Sequence, residues 1–98
     1  MSFPQVAVIG NARIKLPILQ QMAESVGLII NELGFHLVCG GLGGVMEASC
    51  IGHKSGDIGC QTIGILPSIK ADTANEFIDI VIPSGLDVGR NQLVVASG

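Results

Sequence analysis

Two hydrophobic patterns alternate along this chain, and each stops at a glycine or proline. Gln5-Val6-Ala7-Val8-Ile9-Gly10 is apolar without interruption from Val6 to its glycine. A strand covered on both faces reads this way, whereas a strand with one wet face alternates. Across residues 17–33 the apolar positions Ile18, Leu19, Met22, Val26, Ile29, Ile30 and Leu33 recur at three- and four-residue steps, a helical period. Pro17 suits the first turn of that helix and Gly34 its C′ position. Gly27 inside it either weakens the helix slightly or permits close approach to the sheet.

The alternation continues. His36-Leu37-Val38-Cys39-Gly40 reads as a second strand, Gly41-Leu42-Gly43-Gly44 as a loop, and residues 45–54 as a second helix. Gln61-Thr62-Ile63-Gly64-Ile65-Leu66 is a third strand stopped by Pro67. Phe77-Ile78-Asp79-Ile80-Val81-Ile82 is a shorter strand stopped by Pro83, and residues 86–97 form a third helix. This order predicts an α/β fold over residues 1–98, read as one Rossmann-like nucleotide-binding domain. Its architecture would be three-layer α/β/α, with a mainly parallel sheet whose first three strands lie in the order 3-2-1 and helices on both faces. The last helix has no strand after it, so the apolar first strand lacks a neighbour on its second side, an edge that soluble proteins avoid. The expectation is the N-terminal portion of a longer domain, incomplete at its C-terminus. The alternative is a short protein that covers the edge by forming a homo-oligomer.

Composition removes several functions. Only 13% of the 98 residues are charged, and the formal net charge is −3 with five Lys and Arg together. That argues against binding to a nucleic-acid backbone. Three phenylalanines and no other aromatic residue make base-stacking platforms improbable. No apolar stretch reaches the ~18 residues of a membrane span, so no membrane partner is expected. The N-terminus lacks a basic region followed by a long apolar run, so no secretory signal is read. Cys39, Cys50 and Cys60 form no C-x-x-C pair, and His36 and His53 complete no metal-ligand spacing. Reduced thiols in a cytoplasmic protein, and no metal site, are the expectation.

Fourteen glycines are about double the usual share, and four of them fall in Gly40-Gly41-Leu42-Gly43-Gly44, between a strand and a helix. Glycines let backbone approach a ligand without Cβ interference, and the free N–H groups at a helix start attract an anion. A phosphate cradle is one reading; a tight turn with close helix–sheet packing is the other. No Lys follows the glycines, so this is not a P-loop. A dinucleotide fingerprint would follow the first strand, not the second. Gly10, Asn11 and Arg13 lie at the carboxyl end of the first strand, where ligands of open α/β sheets bind. They supply a turn, an amide and a cation, or else a turn with Arg13 in solvent. Arg90, with Asn91 beside it, opens the third helix at the same edge. Its guanidinium suits bidentate contact with phosphate, unless it pairs on the surface with Asp87. His36, His53 and Glu47 have ordinary structural roles by position, and no serine has a nucleophile context.

The run Gly40 to Ala48, then Thr62-Ile63-Gly64-Ile65-Leu66-Pro67, Ala74-Asn75, Asp79-Ile80-Val81-Ile82-Pro83 and Gly89-Arg90-Asn91 with Leu93-Val94-Val95, together resemble the lysine-decarboxylase-like proteins. These are the LOG-like Rossmann nucleotide-binding proteins, whose superfamily includes cytokinin-activating phosphoribohydrolases; the nearest branch is related to the algal molybdenum cofactor carrier. The resemblance covers nearly the whole chain in order. It implies a small phosphorylated ligand, either a nucleoside monophosphate or a molybdopterin-type cofactor, and usually a homo-oligomer. In the phosphoribohydrolase branch an Arg at the position of Arg90 serves hydrolysis of a nucleotide N-glycosidic bond, together with a Glu in a later P-G-G-x-G-T-x-x-E motif. That motif would follow directly after Ser97-Gly98, so the resemblance implies that catalysis needs sequence beyond these residues. Relatives often carry Ser after the first glycine, where this chain has Asn11-Ala12.

Overall fold

The computed structural model describes residues 4–10, 13–67, 74–86 and 94. The elements in chain order are β1 (Gln5–Ala7), α1 (Pro17–Glu32), β2 (His36–Cys39), α2 (Val45–Lys54), β3 (Thr62–Leu66) and β4 (Ile80–Pro83). All strand pairs are parallel and the sheet order is β1-β2-β3-β4. The order expected for the first three strands is therefore found, and β4 joins on the far side of β3. Val6 pairs with Leu37, Val38 with Ile63, and Ile65 with Ile82. Parallel strands put every carboxyl end on one edge of this Rossmann-like sheet, including the ends of β1 and β2 where the candidate residues lie.

The two-residue period sorts the core. Leu37 and Cys39 of β2 pack with Ile30, Met46 and Cys50 on the helix side, joined by Val6 and Val8. Val38, between them, packs with Ile65 and Val94 on the opposite side, with Ala7 and Ile63 alongside. Successive right-handed crossovers running in one direction place α1 and α2 on the same face. Among the described residues the other face is covered by Val94; the rest of the expected third helix falls outside them, and Leu86 is not helical.

The α1 helix ends as its sequence indicates. Gly34 has φ +79°, its N–H donates to Asn31 O at 2.8 Å, and Phe35 N–H donates to Ile30 O at 3.1 Å. This pair of bonds is a Schellman cap, which needs a residue free to adopt left-handed backbone. Gly27 does permit close approach, but to α2 and not to the sheet. A Cβ at Gly27 would collide with the carbonyl oxygen of Ser49, and one at Gly52 with that of Glu24.

Besides one-residue differences at the ends of α1 and β2 and the start of β3, the bounds of β1 and β4 differ from the sequence reading. The β1 ladder stops at Ala7, with one more bond from Val8 N–H to Val38 O at 2.8 Å. Ile9 beyond it is exposed, because no strand flanks β1 on its other side among the described residues. The fourth strand starts at Ile80 because residues 77–79 serve a turn: Thr62 Oγ donates to Phe77 O at 2.6 Å, and Asp79 N–H donates to Thr62 Oγ at 2.9 Å. It also includes Pro83, which an edge strand tolerates.

The α1 helix buries Ala23, Gly27, Ile30 and Asn31. Ile18, Leu19, Met22, Val26, Ile29 and Leu33 are instead 40–66% exposed. Leu19, Met22 and Val26 line a groove of about 300 Å³ together with Val8 and Ile9. The apolar stripe thus adjoins the unpaired side of β1. No described helix is long and apolar enough to cross a membrane.

Candidate functional site

The glycine loop joins the carboxyl end of β2 to the start of α2. Gly41 has φ +78° and Gly44, the N-cap of α2, has φ +65°, both in the region that favours glycine. Gly41 nests against β3: a Cβ there would stand 2.7 Å from Leu66 Cδ2 and 3.3 Å from Gly64 Cα. Gly40 and Gly41 are buried, while Gly43 and Gly44 are partly open. Leu42 turns its side chain into the helix-side core. The N-cap makes no side-chain cap bond to α2. Among the described residues no acceptor lies on the amides of Leu42, Gly43 or Gly44. Glu47 stands in the first turn of α2.

Gly10 comes to the same place. A Cβ on it would press on the side chain of Val45, the first residue of α2. The end of β1 and the glycine loop are therefore adjacent at the carboxyl edge, where open α/β sheets bind ligands. Arg13 is exposed and makes no hydrogen bond or ion pair among the described residues. Asn11, Arg90 and Asn91 lie outside the described residues.

Asn75 is the residue that the sequence reading missed as part of this loop. Its backbone N–H donates to Gly41 O at 2.9 Å, and its Nδ2 donates to Leu42 O at 2.8 Å and to Gly41 O at 3.4 Å. Its Oδ1 accepts from Phe77 N–H at 2.9 Å. Only the Ala74-Asn75 pair within the family resemblance hinted at it; thirty-three residues separate Asn75 from Leu42.

The amino edge of the sheet holds a second polar cluster, and it is structural. His53 is buried, and its Nε2 lies 2.8 Å from Phe35 O and 3.4 Å from Cys60 Sγ. A carbonyl only accepts, so Nε2 carries the proton and cannot take one from the thiol. Burial holds His53 below its usual pKa, against the opposing bond to Phe35 O, and burial pushes the Cys60 thiol up. A nucleophile–base pair needs the reverse in both. Asn31, also buried, donates from Nδ2 to Ile58 O at 3.0 Å and accepts Ile58 N–H at 3.1 Å, fixing the turn before β3. Asp79 pairs with Lys54 and accepts Thr62 N–H at 3.0 Å. Partial burial opposes its ionisation, but Lys54 and Thr62 together hold its carboxyl below the usual range.

The sulfurs of Cys39 and Cys50 lie 3.8 Å apart, and both residues are fully buried. The contact with Cys39, followed by burial, pushes the Cys50 thiol far up. No group of three or more metal-ligating side chains occurs among the described residues.

A family model described as the SLOG cluster4 family matches residues 3–98. An uncharacterized protein from Archaeoglobus fulgidus is 41% identical over 97 residues, which is 99% of this chain and 62% of that protein. Among solved structures, the molybdenum cofactor binding protein from the phototrophic bacterium Rippkaea orientalis is similar with a TM-score of 0.90 and 34% identity, over 100% of this chain and 60% of that one. The Moco carrier protein from Chlamydomonas reinhardtii has a TM-score of 0.74 and 34% identity, over 91% of this chain and 54% of that one. The chain thus spans 54–62% of the length of these relatives.

Proposed function

This chain belongs to the SLOG cluster4 family, and we propose that its glycine loop binds the phosphate end of a small cofactor of the molybdopterin type. The observation that carries the reading is the set of amides at Leu42, Gly43 and Gly44, which have no acceptor among the described residues at the ligand edge of the sheet. Such amides at a helix start are donors suited to a phosphate oxygen. The likeness to a molybdenum cofactor binding protein and to a Moco carrier protein supports the ligand class. A nucleoside monophosphate presents the same phosphate end, so the ligand's ring is what separates the two. The role proposed is binding and carriage rather than catalysis. A cytoplasmic location is proposed with it, on the odd number and wide spacing of Cys39, Cys50 and Cys60 in the sequence.

Arg90 is proposed as the charge partner of the phosphate. Arg90→Ala is expected to weaken a nucleoside monophosphate by about 10–100-fold, the equivalent of ~1.5–3 kcal/mol for a charged contact. The parent nucleoside should lose nothing. Calorimetry on the four combinations checks this; equal losses for both ligands would mean that Arg90 does not read phosphate.

Copies of the chain are proposed to associate through the β1 edge and the α1 stripe. Ile18, Leu19, Met22, Val26, Ile29 and Leu33 carry no charge, so the stripe can meet itself across a two-fold axis without like-charge cost. Their exposed area is roughly 500 Å² per copy, so a pair would bury about 1,000 Å², the lower bound of a stable interface. Sedimentation should show a dimer that Met22→Glu disrupts. A monomer at high concentration would contradict it.

A further inference from the structure

Asn75 faces the glycine loop with every polar atom of its side chain engaged. The carbonyl of Gly41 accepts from its backbone N–H and Nδ2, and the carbonyl of Leu42 accepts from Nδ2. Phe77 N–H holds Oδ1 at 2.9 Å, so the carboxamide cannot swing away. A trans peptide directs its N–H opposite to its C=O. The Gly41 carbonyl shares a peptide with the Leu42 amide, and the Leu42 carbonyl shares one with the Gly43 amide. Two carbonyls drawn toward Asn75 therefore send two consecutive amides away from it. Neither amide has an acceptor among the described residues. Consecutive amides directed one way form a concave anion-binding nest.

We infer that Asn75 is a positioning residue of the phosphate site: it holds the Gly41 and Leu42 carbonyls and thereby presents the Leu42 and Gly43 amides to a phosphate oxygen. The inference rests on the proposed reading of the loop as a phosphate cradle. Asn75 acts through the loop and does not touch the ligand. The position needs a donor for two carbonyls and an acceptor for Phe77 N–H in one short, planar group, which an asparagine carboxamide supplies. Aspartate keeps the acceptor but sets a carboxylate against the two carbonyls. Alanine removes all three side-chain bonds, yet keeps the backbone bond from residue 75 to Gly41 O, so the loop stays attached.

The test compares the parent with Asn75→Ala, using inorganic phosphate and a nucleoside monophosphate as probes. Calorimetry gives the affinity, and two-dimensional amide spectra report on Leu42 and Gly43. The alanine variant should bind both probes on the order of tenfold more weakly. Its Leu42 and Gly43 amide signals should move, while those of Ile63 and Ile65 stay in place and the unfolding temperature changes little. Parent affinity in a folded alanine variant would overturn the role of Asn75 and leave the cradle standing. Absence of phosphate-induced shifts in the parent would overturn the cradle itself. Should alanine prevent folding, Asn75→Asp retains the contact to Phe77 and is read in the same way. A tenfold loss to a phosphate monoester, with parent-like Ile63 and Ile65 signals, supports the role, and parent affinity overturns it.

Discussion

Gly52→Val is expected to destabilise the chain by more than about 3 kcal/mol, enough to threaten a small domain with a typical ~5–15 kcal/mol in hand. The reason is local and rigid. At the crossing of α1 and α2, a Cβ on Gly52 would fall within the carbonyl oxygen of Glu24, and one on Gly27 within that of Ser49. Both obstacles are backbone, so no rotamer change relieves them. The helices would have to separate, and separation would uncover Ile30, Met46 and Cys50, which are buried between the helices and the sheet. At ~4–8 °C per kcal/mol for a domain of this size, the unfolding midpoint should fall by more than about 12 °C. Gly59→Ala is the matching control. A Cβ there meets nothing within 4 Å, and its effect should stay within about 0.5 kcal/mol. Thermal unfolding of the two variants side by side checks the crossing; equal midpoints would mean that the helices do not pack this closely.

Gly43→Val is expected to act in the opposite sense, removing ligand rather than fold. The glycines of this loop divide into two kinds. Gly41 is buried at φ +78° against Leu66 and Gly64, so a side chain there damages the structure directly. Gly43 is partly open, and its amide is one of the proposed phosphate donors. A valine at this position brings branched bulk to where a phosphate oxygen would approach the backbone. The loss should be on the order of 10–100-fold in affinity for a nucleoside monophosphate or inorganic phosphate, the scale of one or two charge-assisted hydrogen bonds at ~1.5 kcal/mol each. The unfolding midpoint should change by only a few degrees. Calorimetry beside a melting curve separates the two effects; unchanged affinity would remove Gly43 from the site.

Much of this arrangement is legible in the residues. The mostly apolar runs of β1, β2 and β3, without polar–apolar alternation, reveal strands of a parallel sheet, because such strands are covered on both faces. Gly34 reveals the end of α1, since a left-handed C′ residue is nearly always glycine. The glycine loop is visible for the same reason: backbone freedom is encoded in a single residue type. Other features depend on partners distant in sequence. The three- and four-residue steps of α1 mark an apolar stripe but not its neighbour. The helix buries Ala23, Gly27, Ile30 and Asn31 and leaves Met22, Val26, Ile29 and Leu33 exposed. Gly27 and Gly52 look like two ordinary helix glycines until α1 and α2 are laid together. Asn75 lies in a polar, irregular stretch, and its contacts reach residues 33 and 34 positions earlier. His53 next to Cys60 would suggest catalysis if only the two side chains were considered; the bond to Phe35 O removes it.

The account depends on the glycine loop being an anion site, and the most direct measurement is a titration of the chain with inorganic phosphate followed by two-dimensional amide spectra. Saturable shifts should appear at Leu42, Gly43 and Gly44, whose amides have no acceptor among the described residues. They should be reproduced by a nucleoside monophosphate and absent with the nucleoside. Shifts confined to surface cations such as Lys15 and Lys54, with the loop signals unmoved at saturating phosphate, would contradict it.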